Sequence, residues 1–351
     1  MKKACILIVL TILLSCCACT QQTPVYEKSG FAMGSVVNVR IYGSENASMT
    51  AMNVMESINE TDTLLSANLE NAELYKLNES ATGIAVDKKL FQLLGDCLSV
   101  CNTTGRVLDI TIGAVSELWG FDTDSPALPD EKALQQALQT VDMDKLLLDE
   151  EKLTVAKQEG QKIDLGAFGK GIACSAALRE LRGEFAPAIL SVGGTILLYG
   201  NHPDEDHWTV GIRNPDGTAN DYCATLALSV ENSDDALFVS TSGNYEKTFE
   251  KDAKTYHHIL DAKTGMPVEN DIVSVTVVTD GGLISDALST VLFIHGLSEE
   301  TLTILENYKT EAVFICKDGS VLVSDGLADR ITLTDKNRTL GDLEDTIGAA
   351  K

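Results

Sequence analysis

The part of the chain that most limits its fold is the β-rich stretch from Ala188 to Thr279. Ala188 to Leu198, Trp208 to Ile212, Cys223 to Val230 and Ile272 to Thr279 are each β-branched or alternating, as strands are. Helical spacing is concentrated elsewhere. Met52, Met55, Ile58 and Leu65 recur at helical intervals within Ala47 to Leu65, and Leu90, Leu93, Leu94, Cys97 and Cys101 do so within Leu90 to Cys101. Asp130 to Thr140 opens after Pro129, a start signal, and Leu283 to His295 and Glu299 to Lys309 also read as helices. Val36 to Tyr42, Glu311 to Ile315 and Ser320 to Val323 add further strands. Helices that segregate from hairpin-like strands predict an α+β class, in a single unit of mixed strands and helices over residues 30–335. The last ten residues have little apolar pattern and are expected to be disordered, within a tail over 336–351.

The N-terminus speaks to location. Lys2 and Lys3 precede an apolar run, Ile6 to Leu14, too short to span a bilayer, which is the pattern of a secretory signal. Leu13-Leu14-Ser15-Cys16-Cys17-Ala18-Cys19 follows, with a small residue before both Cys16 and Cys19. This resembles a bacterial lipobox, so a signal over 1–18 is expected, with cleavage before Cys16 or Cys19 and a tether over 19–29. The expectation is a chain anchored by lipid to the cell membrane and facing outside the cytoplasm, on the periplasmic side of the inner membrane in a Gram-negative cell.

Composition closes other routes. The net charge is −25, with no Lys/Arg cluster as a counter-patch, which excludes nucleic acid as a partner. A phosphate-bearing ligand must then be met by a metal ion, a helix N-terminus or isolated lysines. Cys97, Cys101, Cys174, Cys223 and Cys316 are odd in number and lack metal spacing, so no disulfide scaffold is expected.

Four segments hold more small and polar residues than packing needs. In Phe31-Ala32-Met33-Gly34-Ser35, Gly34 permits close backbone approach and Met33 offers an adaptable apolar surface for a flat ring; a plain turn into a strand has the same look. Asp109 stands among Val107, Leu108 and Ile110, and a buried carboxylate there needs a partner, either a ligand or a structural group such as a helix N-terminus. Asp164-Leu165-Gly166-Ala167-Phe168-Gly169-Lys170-Gly171 leads into a helical stretch. Three glycines, an acid and a lysine at a strand-to-helix turn make an anion cradle, with the spacing of neither a Walker loop nor a dinucleotide fingerprint. Asp286 and Thr290 lie four apart on a helix, so their oxygens share a face and suit Mg²⁺, although Asp286 read alone is also a helix cap. His258 stands in a strand-like run, where a lone histidine is as a rule structural.

Taken together, these motifs resemble the ApbE family, the FAD:protein FMN transferases. The matching residues are Phe31 to Ser35, Leu65-Ser66, Leu77-Asn78, Asp109-Ile110-Thr111, Trp119-Gly120-Phe121 and Asp164 to Gly171. Val192-Gly193-Gly194, Thr241 to Tyr245, His258 to Gly265 and Asp286 to Thr290 complete the series in order. The resemblance implies transfer of FMN from FAD to a Ser or Thr hydroxyl of an acceptor protein, with release of AMP. That acceptor would be a flavin-carrying subunit of an electron-transfer complex. It further implies that Met33, Asn68, Val107, Leu108, Asp109, Asp164, Lys170 and Ile259 contact FAD. The Ala167 carbonyl, Asp286 and Thr290 would hold Mg²⁺, with Mn²⁺ or Ca²⁺ as substitutes, and His258 would act as base. Three positions depart from the family pattern: Ala262 for a proline, Ser175 for an aspartate, and Asn68 for an aromatic. Because of Asn68, water remains an alternative acceptor, which would make the chain an FAD pyrophosphatase; a flavin-binding lipoprotein without catalysis is the other alternative.

Overall fold

The computed structural model describes residues 22–349 apart from Ala219. The expected signal and lipidated cysteine fall outside the described residues. Among those described, no helix is long and apolar enough to cross a membrane.

A nine-stranded sheet organises the molecule. Its order is Val25–Ala32, Ser35–Tyr42, Ala188–Val192, Thr195–Tyr199, Ala236–Gly243, Ile272–Thr279, Glu311–Cys316, Ser320–Val323 and Thr339–Asp342. Neighbours are antiparallel except the last pair, which is parallel. Alternation along each strand splits the core in two. Leu197, Phe238, Val277 and Phe314 point to the helical side, where Ala47–Leu65, Gly169–Glu184 and Gly282–His295 pack. Leu198, Val239, Val278 and Val313 point to the other side, covered by a small sheet of Trp208–Arg213, Tyr222–Leu228 and Ile331–Leu333. The α+β class and the helix and strand positions read from sequence are as observed, with ends moved by a few residues. Asp87 and Asp130, for instance, cap the helices Lys88–Thr103 and Glu131–Leu138 through the N–H groups of Lys89 and Ala133.

Four readings are corrected. Ala188 to Leu198 is two strands, because Gly193 takes φ +56° and turns the chain back on itself. Ala236–Gly243, not anticipated as a strand, lies in the middle of the sheet; its second half is hydroxyl-bearing and lacks the apolar signature. Val25–Ala32 pairs residue for residue with Ser35–Tyr42, so the second part of the expected tether is sheet. The expected tail is structured as far as Ala349. Thr339–Asp342 extends the sheet beside Ser320–Val323, and Leu343 and Ile347, four apart, bury one face of the helix Leu343–Ala349. The five cysteines from Cys97 onward are free and buried.

Candidate active site

Two helices cross without side chains between them. A Cβ added to Gly171 would lie 1.9 Å from the Gly282 carbonyl oxygen, and one added to Gly282 would lie 2.3 Å from that of Gly171. Glycine at both positions is therefore what lets the N-terminal turns of Gly169–Glu184 and Gly282–His295 touch. The crossing carries Asp286 to the first turn of the partner helix. Its Oδ2 accepts the Gly171 N–H at 3.0 Å, and its Oδ1 accepts from Thr195 Oγ1 at 3.3 Å. Lys170 Nζ stands 3.7 Å from the same Oδ1. Gly171 is the third residue of its helix, where the N–H has no intrahelical acceptor, and Asp286 supplies one. Ser175, where the family pattern has aspartate, donates to the Gly171 carbonyl at 3.0 Å and so steadies the same turn. Thr290, one helical turn beyond Asp286, has its Oγ1 2.9 Å from Ser242 Oγ.

This oxygen set suits a hard divalent cation. Asp286 is 4% exposed, and its cationic neighbour Lys170 lies beyond hydrogen-bond distance. A buried carboxylate with so little counter-charge is expensive unless a cation joins it. The Ala167 carbonyl, the Asp286 carboxylate and the Thr290 hydroxyl are ligands of the type Mg²⁺ takes alongside water and phosphate oxygens.

Above the Gly169 turn sits a strained hairpin tip. Met33 and Gly34 form the two-residue turn between Val25–Ala32 and Ser35–Tyr42, with φ of 53° and 64°. Such turns favour Asn-Gly, and a methionine at positive φ is costly. Asp62 holds it by accepting the Met33 N–H at 2.9 Å. The Met33 methyl comes within 3.0 Å of where a Gly169 Cβ would be, so the thioether covers the start of the helix that carries Lys170. Asp62 was missed in the sequence, but there was a signal: it sits in the last turn of Ala47–Leu65, where the helix dipole disfavours an acid.

The Asp109 and Asp164 segments lie side by side, the Asp164 N–H donating to the Ile110 carbonyl at 2.8 Å. Asp109 is half-buried and has a structural partner, Thr111 rather than a helix N-terminus: Oδ1 accepts from the N–H of Thr111 at 2.8 Å and from its hydroxyl at 2.5 Å. Burial raises the Asp109 pKa above its usual range, and the Thr111 bonds oppose the rise. Asp164 Oδ1 accepts from Gly166 N at 2.7 Å, shaping the glycine turn. Asn78 explains its own motif. It donates to the Ile163 carbonyl at 2.8 Å and accepts the Ile163 N–H at 2.7 Å, pinning the residue before Asp164.

Of the other residues expected at FAD, Leu108 and Ile259 are buried within the hydrophobic core and Val107 packs against it. The Ile259 carbonyl accepts the Val268 N–H at 3.0 Å. Asn68 is exposed on the turn after Leu65, its N–H directed to Ser66 Oγ at 3.2 Å.

The two adjacent histidines have opposite tautomers. His257 Nδ1 accepts the Ile259 N–H, so its Nε2 carries the proton and donates to the Val268 carbonyl at 3.0 Å. His258 Nδ1 lies 3.1 Å from the Glu246 carbonyl and must be the donor there, which leaves its Nε2 a free acceptor. Burial, reinforced by the charges of Lys247 and Lys170, pushes the His258 pKa down to about 4. The ring is therefore neutral at physiological pH. Lys247 is held by Asp122. The neighbouring loop is braced by Trp119, whose Nε1 donates to the Gly265 carbonyl at 2.7 Å and whose ring stacks on Phe121 at 5.6 Å. Asp261 turns that loop without the family's proline, its Oδ1 accepting from Lys263 N at 2.7 Å.

The sequence model of the ApbE family matches residues 33–314, which span the site residues from Met33 to Thr290. The chain belongs to the ApbE family. An FAD:protein FMN transferase of Treponema pallidum is 31% identical over 330 residues, covering 88% of this chain and 90% of that one. One from Klebsiella pneumoniae is 27% identical, covering 86% and 92%. Among solved structures, the ApbE protein of Thermotoga maritima superposes with a TM-score of 0.79 at 26% identity, covering 86% of this chain and 98% of its own. The flavin transferase ApbE of Vibrio cholerae gives 0.74 at 23% identity, covering 88% and 99%.

Proposed function

We propose that this ApbE-family chain is an FAD:protein FMN transferase that uses a divalent cation, Mg²⁺ by preference, and a neutral histidine base. The observation that carries the reading is the buried Asp286 carboxylate, docked on the first turn of a helix beside Lys170. A helix N-terminus and a lysine attract a pyrophosphate, and Asp286 with the Ala167 carbonyl and Thr290 would hold the cation against it. When bound, the cation supplies charge neutralisation to a substrate that this acidic protein would otherwise repel.

The remaining work falls to the chain. Lys170 offsets phosphate charge, and Met33 lies over the same turn as an apolar surface for a flavin or adenine ring. Asp109 and Asp164 shape the adjoining segments, where their carboxylates would meet polar groups of FAD. His258 Nε2 takes the proton of the incoming Ser or Thr hydroxyl as its oxygen bonds to the FMN phosphorus. The bond between that phosphorus and the bridging oxygen breaks, and AMP departs. The acceptor is a protein carrying FMN in an electron-transfer complex, reached from a lipid anchor at Cys16 or Cys19 outside the cytoplasm.

Incubation with FAD and Mg²⁺, with and without a Ser/Thr-containing acceptor, tests the reaction. AMP release matched by acceptor-bound flavin fluorescence supports transfer. FAD binding without AMP release would leave a non-catalytic flavin carrier and sink the proposal. Membrane fractionation of Cys16→Ala, Cys19→Ala and the double variant tests the anchor, which fails if the double variant still sediments with membranes.

A further inference from the structure

Beneath Asp286 and Thr290 the sheet turns from apolar to hydroxyl-bearing. Ser240 and Ser242 are two apart on Ala236–Gly243, so they share a face about 6.7 Å apart. Ser285 and Ser289 are four apart on Gly282–His295, about 6 Å along its axis. The two spacings match, and the hydroxyls meet in register: Ser240 Oγ to Ser285 Oγ is 2.8 Å and Ser242 Oγ to Ser289 Oγ is 2.7 Å. Thr195, paired with Ser240 across the sheet, completes the line, with its Oγ1 3.2 Å from Ser240 Oγ and 3.3 Å from Asp286 Oδ1. Thr195, Ser240, Ser285 and Ser289 are all 0% exposed.

The direction of these bonds follows from the carboxylate. An ionised Asp286 only accepts, so Thr195 must donate to it, and the Thr195 lone pair then takes the Ser240 proton. Ser285 remains to donate to Ser240 or to the Gly282 carbonyl, 2.9 Å away. Each buried hydroxyl bond adds little net stability, and alanine with apolar packing would serve stability as well. What alanine could not do is aim a carboxylate oxygen.

We propose that Thr195, backed by Ser240 and Ser285, is a positioning residue that fixes the rotation of the Asp286 carboxylate for the divalent cation. This rests on the reading that Asp286 holds that cation. Fixing the carboxylate before binding removes the ordering cost from the binding step, and outer partners of this kind typically alter metal affinity by about 10- to 100-fold.

The test is direct titration of the full chain with Mn²⁺, with free Mn²⁺ read by electron paramagnetic resonance, alongside thermal unfolding without metal. Thr195→Val keeps the shape and removes the hydroxyl; it should weaken Mn²⁺ binding at least tenfold, while Thr195→Ser stays within about threefold of wild type. Ser240→Ala should shift binding in the same direction by less, and it decides the matter should Thr195→Val not fold. A Thr195→Val protein with wild-type Mn²⁺ affinity and only a lowered unfolding midpoint would overturn the proposal in favour of plain packing. Asp286→Asn, run in parallel, separates the two levels. If it also binds Mn²⁺ normally, the cation site itself has been misread; if it loses Mn²⁺ while Thr195→Val does not, only the role of Thr195 fails.

Discussion

The strand Thr195–Tyr199 has two ends with different occupations. At one end Leu198 is fully buried in the apolar layer between the large sheet and the small sheet that contains Trp208–Arg213. At the other, Thr195 is equally buried but spends its side chain on Asp286 and Ser240. The next strand repeats the division, with Phe238 and Val239 in apolar cores and Ser240 and Ser242 in the hydroxyl seam. Burial alone therefore says nothing about role in this molecule. The apolar end holds the sheet together, and the polar end is where packing energy has been given up to orient groups. Loss of function and loss of stability should separate along a single strand.

The sharpest test of that separation is at the polar end. Asp286→Ala should lower metal-dependent AMP release by about a thousandfold, because a hydroxyl and a carbonyl cannot by themselves retain a hard cation worth several kcal/mol to the reaction. The chain should still fold without metal, its unfolding midpoint lowered only modestly by the loss of the acceptor for the Gly171 N–H and the Thr195 hydroxyl. An unchanged rate at limiting Mg²⁺ would place the site elsewhere. At the apolar end the effects should invert. Leu198→Ala should cost about 3 kcal/mol of stability by denaturant titration, while the rate per folded molecule remains that of wild type. A variant that kept its stability but lost its rate would break the comparison.

How much of this was legible beforehand follows the same division. The glycine turn at 166–171 and the Asp286–Thr290 spacing stood out because glycines, acids and a lysine have no packing reason to gather there. The strand Ala236–Gly243 did not, because a central strand is recognised by apolar runs and half of this one carries hydroxyls. Asp62 and Thr195 were missed for a related reason. Each acts through one contact, on Met33 or on Asp286, with a residue remote in sequence. The C-terminal helix escaped notice because Leu343 and Ile347 are a single apolar pair in a polar stretch, and the sheet edge they cover lies outside any local window.

The proposed base, His258, offers a finer test, by pH. Burial and the two lysines hold His258 near pH 4, below the ordinary imidazole range. The deprotonated base therefore persists well into acid, and the acid limb of kcat/KM should fall near pH 4. Lys247→Gln removes a like charge, favours the protonated ring and should move that limb upward. The same depression carries a stability sign. An unfolded chain binds the proton at the ordinary histidine pKa and the folded one only near 4, so this group costs stability as pH falls through that window. A wild-type acid limb already near 6.5 would show that the ring is open to solvent when it works.

The smallest expected effect lies at the exposed rim. Asn68 follows Leu65-Ser66-Ala67 on a turn, exposed to solvent, with Leu69 beside it 44% exposed. An aromatic at this position would stack on a planar ring of FAD and help keep water from the pyrophosphate. Asparagine does neither, so slow release of free FMN is expected from FAD and Mg²⁺ when no acceptor is present. Asn68→Tyr should lower the ratio of free to protein-bound FMN by about threefold, the size of one stacking contact of roughly 0.7 kcal/mol. Its unfolding midpoint should not move, because a substitution on an exposed turn changes little packing. The ratio is to be measured for both proteins under the same Mg²⁺ and acceptor concentrations. Should wild type yield only bound FMN, with the ratio unmoved by tyrosine, water would be excluded by the buried cradle around Asp286 and Met33 rather than by the rim. The choice of nucleophile would then belong to the same polar end of the sheet that is proposed to position the metal ligands.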